Sequence, residues 1–352
     1  MKTFVTGGFG FTGVHLVRRL LEQGHEVTVL DIARGDTIDA ADLEQRGVRY
    51  IEGSVDDAEL LRTVLPGHDV VFNLASAFRD IHSGAPLFQD IDVEGTRILL
   101  TAAAAADVRR VVHCSTQGVH GSLPDGAVPG NEDSPLTPID YYCRAKVDAE
   151  NVCQEFIRAG MDIVIVRPTS IYGPGDTHGW LKLFRMCRKG RFLMLGSGRT
   201  YNHPVYVENL ADLFVLAAEV PGARGRTYLA GDTSYVTLSE LVHLIGEVQG
   251  RKVRIYRFPW YTPVHALAWL METVSRPFDY EPPLFRRRLT WFTTNRGWDI
   301  SRARQELGYE PAIGLREGLT RTMRWYQNRH LLEASDGSGG NTTADYAIKR
   351  PR

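Results

Sequence analysis

Tyr142 and Lys146 stand four residues apart, a spacing that puts both on one face of a helix. Together they offer proton-transfer chemistry. A free phenol has a pKa of about 10, too high for an effective base near neutrality. A neighbouring ammonium favours the phenolate, and so does any second positive charge in the same cleft. Bringing the phenol down to about 7 takes roughly 4 kcal/mol of differential stabilisation, which two nearby cations in a dry cleft can supply. Tyr141 projects about 100° away around the helix and cannot share that face. A tyrosine and a lysine at this spacing also fit a packed aromatic beside a snorkelling amine. The weight therefore rests on what accompanies them. Upstream, an apolar run ends in Ser115-Thr116-Gln117-Gly118-Val119-His120-Gly121. A Thr116 hydroxyl there can hydrogen-bond a reacting oxygen and orient it beside the phenol.

The second charge has a source at the start of the chain. Lys2 to Thr6 reads as a short strand, Gly7-Gly8-Phe9-Gly10-Phe11-Thr12-Gly13 as a tight turn, and Val14 to Leu21 as a helix. Gly8, Gly10 and Gly13 satisfy the dinucleotide spacing, and Gly7, Gly10 and Gly13 give a second spacing at intervals of three. Side chains there would keep a pyrophosphate from the backbone N–H groups of the helix N-terminus. Glycine turns after strands often serve geometry only, but this one lies between a strand and an amphipathic helix. Asp31 ends the second strand, where a carboxylate can accept from an adenosine 2′-hydroxyl and repel a 2′-phosphate. NAD is therefore expected over NADP. Arg34 softens that preference without reversing it. The nicotinamide of oxidised NAD would be the second cation, and Tyr142 would move a proton while hydride moves to or from it.

The elements that position these residues alternate. Strands are expected at 26–30, 48–52, 69–74, 109–114 and 162–167, and helices at 57–65, 87–106 and 139–159. Thr137 is the expected N-cap of the last helix, Pro138 suits its first turn and Gly160 its stop. Unbroken apolar strands separated by helices predict an α/β fold with a doubly wound parallel sheet, and ligands beyond the strands' carboxyl ends. Residues 1–168 are read as the cofactor-binding domain carrying the catalytic residues. Residues 169–333 are read as a smaller mixed C-terminal substrate lobe, with segments free to cross back, and 334–352 as a disordered tail. In the second half, helices are expected at 176–189, 207–219, 237–248, 301–307 and 315–330. Strands are expected at 191–195 and 252–256, with an apolar segment from Trp260 to Val274 and a short stretch near 283–290.

Composition is ordinary for a soluble globular protein, with 43% hydrophobic residues, 24% charged residues and a net charge of −1. That balance gives no global electrostatic argument for nucleic acid or a strongly anionic surface. Cys114, Cys143, Cys153 and Cys187 lack metal-like spacing, so no metal site is expected and the thiols read as reduced and buried in a cytoplasmic protein. The first strand is read from residue 2, so no signal peptide is expected. The apolar segment is interrupted by Pro263, His265 and Glu272 and is too short to span a bilayer, though peripheral contact stays open.

Taken in order, these motifs resemble the extended short-chain dehydrogenases/reductases of the NAD-dependent epimerase/dehydratase superfamily. The features that carry the resemblance are Gly7/Gly10/Gly13, Asp31, Asn73-Leu74-Ala75, Ser115-Thr116, Tyr142/Lys146, and Arg167-Pro168 leading into Ile171-Tyr172-Gly173-Pro174-Gly175. They extend over roughly residues 1–330. The resemblance implies a Rossmann sheet, NAD as cofactor, a small-molecule substrate and a homodimer built on the long helices around 87–106 and 139–159. It makes Thr116, Tyr142 and Lys146 the catalytic set. It assigns cofactor contacts to Gly7, Phe9, Gly10, Phe11, Gly13, Asp31, Ala75, Ser115, Lys146, Pro168 and Ile171. Departures are Ser54 where an adenine-binding Asp is common, Asp92 for a common Asn, and His120 for a Tyr.

Dehydratases of this superfamily carry an Asp-Glu pair after the catalytic Thr; here Gln117 and Gly118 stand there. Nucleotide-sugar epimerases present an arginine in an Arg-x-Gly-Asp-like turn, which Arg296-Gly297-Trp298-Asp299 imitates only loosely. The C-terminal half is more similar to the 3β-hydroxysteroid dehydrogenase branch, through Tyr206-Val207-Glu208-Asn209-Leu210-Ala211 and the apolar stretch from Phe258 to Phe278. That resemblance implies oxidation or reduction of a secondary alcohol or ketone on a hydrophobic, steroid-like molecule, with a nucleotide-sugar 4-epimerase as the alternative. The apolar stretch equally fits the lobe's own core, a second subunit or a membrane surface. Arg286, Arg287 and Arg288 read as a solvated face, and as the diphosphate site under the epimerase alternative.

Overall fold

Seven parallel strands form the central sheet. In chain order they are β1 (Lys2–Thr6), β2 (Glu26–Asp31), β3 (Arg49–Glu52), β4 (Val70–Asn73), β5 (Arg110–Cys114), β6 (Ile163–Pro168) and, from much later in the sequence, Thr227–Ala230. Across the sheet the order is β3-β2-β1-β4-β5-β6 and then Thr227–Ala230, with the direction of winding reversing between β1 and β4. That reversal opens a crevice at the strands' carboxyl ends. The computed structural model describes residues 1–34, 38–79, 84–258, 261–275, 289 and 292–333. The expected tail from 334, the Arg286–Arg288 run and all but Leu289 of the stretch 283–290 lie outside the described residues.

Both faces of the sheet are covered, which explains the unbroken apolar strands. Val5, Val29, Phe72, Val112 and Val164 pack with α1 (Phe11–Glu22), α2 (Ile38–Gln45) and the helix Val207–Glu219. Phe4, Leu30, Val71, Val111 and Ile163 pack on the other side. Their partners are α3 (Ala58–Val64), the segment ending in α5 (Gly95–Ala105), and α6 (Tyr141–Arg158). Helix α2 had no expectation in sequence; among its described side chains Ala40 and Leu43 are the buried apolar anchors in a polar run.

Two expectations change. The helix expected over 87–106 is interrupted: α4 (Gly84–Phe88) and α5 are joined by a π-helical stretch, Gln89–Glu94. The last expected helix begins at Tyr141, and Asp140 is its N-cap, accepting from Cys143 N at 2.8 Å. The Thr137 hydroxyl donates instead to His120 O, which ties it to the loop after β5. A carboxylate caps a helix at least as well as a hydroxyl, and Thr137 is held elsewhere.

Beyond β6 the chain builds β7 (Ser170–Tyr172), α7 (Gly179–Arg188), β8 (Arg191–Leu195), β9 (Tyr201–Asn202), β10 (Pro204–Tyr206) and α8 (Val207–Glu219). The edge strand Thr227–Ala230 is β11, followed by β12 (Val236–Thr237), α9 (Leu238–Val248), β13 (Arg254–Phe258) and α10 (Tyr261–Ser275). Helix α8 packs on α1, where Arg19 and Asp212 form an ion pair at 2.5 Å, and β11 pairs with β6. The chain thus crosses back to complete the sheet. A second core gathers Phe184, Phe192, Met194, Leu241, Ile245 and Tyr326. Thr237 caps α9 with a reciprocal capping box to Glu240. Helices Ser301–Leu307 and Leu315–Asn328 lie where expected.

Candidate active site

The turn after β1 has the shape a pyrophosphate needs. Gly7 adopts φ +66, a left-handed conformation that favours glycine. A Cβ on Gly7 would also lie 3.1 Å from the Ala75 backbone, so the ends of β1 and β4 meet there. A Cβ on Gly13 would collide with Gly7 O and stand 2.7 Å from Gly8 Cα. Gly10 caps α1 without any side-chain hydrogen bond, and no acidic residue stands in the first turn, so this N-terminus suits an anion. Asp31 braces the turn, its Oδ2 accepting from Phe9 N at 2.9 Å. The Phe9 ring is buried against Tyr50, so Phe9 contributes only backbone here, while the half-buried Phe11 opens α1 beside Gly175. Arg34, the cation expected to soften the NAD preference, pairs with Glu44 at 3.2 Å and lies over the Tyr50 ring. The residues fit a dinucleotide. Gly13→Ala is expected to weaken NAD binding roughly tenfold or more, because backbone must move to admit the methyl; a calorimetric titration reads it.

Lys146 is buried and its Nζ donates to Cys114 O at 3.1 Å. It also pairs with Asp92 Oδ1 at 2.9 Å, and both side chains are almost fully removed from solvent. An ammonium carries three donors, so one remains for a ribose hydroxyl. Asp92 belongs to the π-helical stretch, whose widened turn carries it into the core, where Oδ2 accepts from Ala77 N at 3.1 Å. A polar chain extends from it: Thr96 Oγ1 donates to Asp92 O at 2.7 Å and accepts from Asn73 Nδ2 at 3.2 Å, and Thr6 Oγ1 donates to Asn73 Oδ1 at 2.9 Å. The Thr6 hydroxyl in turn accepts from Ala75 N at 3.1 Å. The glycine turn, the strand β4 terminus and the lysine are thus one hydrogen-bonded body. Burial, with Lys146 adding to it, pushes His113 down to about 3, so it stays neutral within this chain.

Tyr142 is half-buried between Phe78, at 4.8 Å between ring centroids, and Phe88, at 5.9 Å. Its ring lies 5.9 Å from Lys146 Nζ, and among the described residues its hydroxyl has no hydrogen-bond partner. Tyr141 points to solvent, 70% exposed. The electrostatics differ from the sequence expectation. Burial pushes the phenol up, Lys146 pulls it down, and Asp92 pushes it up again, with a net rise above the ordinary value. Burial also opposes the lysine's charge, but Asp92 and Tyr142 outweigh it, and the ammonium is held above its ordinary range. Burial and Asp92 together outweigh Lys146, so the protein alone leaves the phenol protonated.

Thr116 caps the short turn Gln117–His120, accepting from Gly118 N at 3.1 Å. A Cβ on Gly118 would lie 2.7 Å from Cys143 Sγ, which presses this turn against the first turn of α6 beside Tyr142. Ser115, expected among the cofactor contacts, is directed elsewhere. It is buried and its hydroxyl donates to Glu150 Oε1. Glu150 is bound bidentately by Arg167, at 2.9 Å and 2.6 Å, and Arg167 also donates to Glu132 O at 2.9 Å and to His120 Nε2 at 3.1 Å. Burial and Arg167 push His120 down to about 4, so Nε2 accepts and Nδ1 donates to Ser134 O. This wall holds the Thr116 turn from behind. Pro168 ends β6, next to β5 in the sheet, and Ile171 lies in the middle of β7, which pairs with β10 in a separate two-stranded sheet. His15 Nε2 lies 2.8 Å from Pro174 O, which brings the segment after Ile171 back to α1.

Two contributors escaped the sequence reading. Asp92 was visible only as a substitution for a common Asn; its pairing with Lys146 depends on a π-turn no periodicity announces. Arg296 is half-buried, with Asp140 and Cys143 of α6 among its electrostatic neighbours, and burial pushes it down to about 10. Among the described residues no carboxylate forms an ion pair with it. Gln117, where dehydratases have an acid, accepts from Trp298 Nε1 at 3.0 Å. Among the described residues no cluster of His, Cys, Asp or Glu could hold a metal, and no helix is long and apolar enough to cross a membrane.

Comparison with known proteins gives this geometry its context. The model of the NAD dependent epimerase/dehydratase family matches residues 3–231. The chain is 30% identical, over 91% of its length and 95% of the relative's, to a 4-hydroxy-2-methyl-3-oxo-4-farnesyl-3,4-dihydroquinoline-1-oxide ketoreductase from Stigmatella aurantiaca. It is also 30% identical, over 92% of its length and 91% of the relative's, to a 3-beta-hydroxysteroid dehydrogenase from Mycolicibacterium neoaurum. The solved structure of a dTDP-glucose 4,6-dehydratase from Streptomyces venezuelae with NAD bound has a TM-score of 0.74 and 28% identity, covering 94% of this chain and 98% of that one. The chain belongs to the NAD-dependent epimerase/dehydratase family of the extended short-chain dehydrogenases/reductases, and is an enzyme that uses NAD.

Proposed function

We propose that the protein interconverts a secondary alcohol and a ketone on a hydrophobic small molecule, with Tyr142 as the proton-transferring group. The observation that carries this reading is the Tyr142 hydroxyl itself. It has no hydrogen-bond partner among the described residues, and its ring lies 5.9 Å from Lys146 Nζ and packs against Phe78 and Phe88. Such a wall suits an apolar ring or chain better than a nucleotide sugar. The two relatives that reduce or oxidise a farnesylated quinoline and a steroid support the same substrate class. Residues 1–168 with the returning α8 and β11 would form the cofactor-binding part, and the remainder up to 333 the substrate part.

The bound nicotinamide supplies the hydride donor or acceptor. In ketone reduction the Tyr142 hydroxyl gives its proton to the carbonyl oxygen, and in alcohol oxidation the phenolate takes it back. The Thr116 hydroxyl donates to the same oxygen and fixes its direction. The third donor of Lys146 would hold a ribose hydroxyl, and Pro168 and Ile171 would line the nicotinamide. Arg296 gives the apolar surroundings one fixed donor for a further oxygen of the substrate. Because the phenol is protonated at neutral pH, ketone reduction should be level between pH 6 and 8, while alcohol oxidation should rise as pH rises. Asp92→Asn leaves the lysine charge unmatched and favours phenolate. The alkaline rise in oxidation should then shift to lower pH by roughly one unit, while an unchanged profile would remove Asp92 from the account.

The test is to follow NADH absorbance with a panel of steroid, quinoline and alicyclic ketones and alcohols. Net oxidation or reduction of free cofactor supports the reading. Protein that retains NAD through purification and converts nucleotide sugars with no net redox change supports the 4-epimerase alternative.

A further inference from the structure

The small parallel sheet of β8 and β13, together with α10, presents a surface that the hydride-transfer site does not use. In its register Arg191 lies beside Arg254, Leu193 beside Tyr256 and Leu195 beside Phe258. Side chains alternate along a strand, so these pairs share one face, while Phe192 and Met194 enter the core on the other. The shared face is open, with Leu193 63%, Tyr256 55% and Phe258 42% exposed. At its far end Leu195 is covered by Ala268 and Val264 of α10, so the sheet face continues into that helix. Helix α10 uses Ala268 to face the protein. Leu267, Leu270 and Val274, at i, i+3 and i+7, form a second stripe, each at least half exposed, and Trp269 stands out on a third side. A helix apolar on several sides requires cover beyond the one side it buries here.

Charge selects the cover. Segments 179–199 and 250–271 contain lysine and arginine but no aspartate or glutamate, in a chain whose net charge is only −1. Arg191 and Arg254 on the open face, and Arg251 and Lys252 at its edge, are exposed. Among the described residues no carboxylate forms an ion pair with them. A second copy using the same face in two-fold symmetry would bring these cations against one another, which disfavours self-association there. An anionic lipid surface complements both features, taking aromatic and aliphatic side chains at the headgroup boundary and cations at its phosphates.

We propose that the face formed by Leu193, Tyr256, Phe258 and the outer stripes of α10, rimmed by Arg191 and Arg254, docks the protein peripherally on an anionic lipid bilayer. Its chemistry is independent of the reaction assigned above. The docking would hold the enzyme at a lipid surface without any segment crossing it.

Co-sedimentation of the full chain with large vesicles tests the proposal, using phosphatidylcholine alone or with roughly one-quarter phosphatidylglycerol. The bound fraction at limiting lipid should be about tenfold higher with phosphatidylglycerol and fall as salt rises. The Leu193→Asp/Trp269→Asp double variant should lose binding to both vesicles by about tenfold, and Arg191→Glu/Arg254→Glu should lose the preference for anionic lipid. NAD titration of each variant controls for folding, because none of these residues touches the cofactor turn. The proposal fails if NAD-binding wild-type protein stays in the supernatant with anionic vesicles. It also fails if the folded variants sediment as the wild type does. A dimer in sedimentation velocity that Leu193→Asp/Trp269→Asp dissolves would assign the face to a second copy and overturn the lipid reading.

Discussion

Tyr142→Phe is expected to lower turnover by roughly 10²- to 10⁴-fold, the usual worth of a positioned proton donor, with NAD affinity changed little. The reason is geometric. The substitution removes one oxygen that has no structural partner among the described residues and leaves the ring between Phe78 and Phe88. Neither the glycine turn nor the Asp92–Lys146 pair depends on that oxygen. Stopped-flow measurement of NADH oxidation beside a cofactor titration separates the two effects. A variant that turns over normally would remove Tyr142 from the mechanism. One that loses NAD binding in step with turnover would show that the phenol is structural.

The largest stability effect is expected at Glu150. Its carboxylate and the Arg167 guanidinium are 6% and 7% exposed and bound through two contacts. Glu150→Gln leaves a buried guanidinium without its counter-charge, which costs about 3–5 kcal/mol. In a chain of this size that corresponds to a fall in Tm of roughly 4–7 °C. The Glu150→Gln/Arg167→Met pair should recover much of the loss, because the uncompensated charge is then gone. Ser115 donates to the same carboxylate, so Glu150→Gln also loosens the turn that presents Thr116. Turnover should therefore fall even below the melting transition. A differential scanning calorimetry trace unchanged from the wild type would contradict the view of this pair as the site's rear wall.

Much of the fold was legible because its signals are local. Of the first six strands all but β3, Arg-Tyr-Ile-Glu, carry apolar runs bounded by turns, and Gly7 to Gly13 lie where strand gives way to helix. Tyr142 and Lys146 were legible for the same reason: four residues on one helix share a face whatever surrounds them. Relations across long sequence distances were not. Asp92 meets Lys146 only because a π-turn rotates it inward. Burial of the phenol, with Asp92 adding to it, turned the direction of its shift opposite to what the lysine alone implied. Ser115 has the same type of side chain as its neighbour Thr116, yet a glutamate on α6 claims its hydroxyl. Strand β11 is a four-residue segment whose membership in the sheet depends on pairing with β6, more than fifty residues earlier. The N-cap of α6 moved from Thr137 to Asp140 because two capable side chains stood close together and the loop at His120 claimed one of them.

The central claim is that this site moves a hydride between NAD and the carbinol carbon of a hydrophobic substrate while Tyr142 moves the proton. The most direct measurement is deuterium transfer from NADH labelled at C4 to a hydrophobic ketone, read by mass spectrometry of the alcohol, for the wild type and Tyr142→Phe. The account predicts one deuterium on the carbinol carbon with the wild type and almost none with the variant in the same time. Unlabelled alcohol, or equal labelling by the variant, would contradict it.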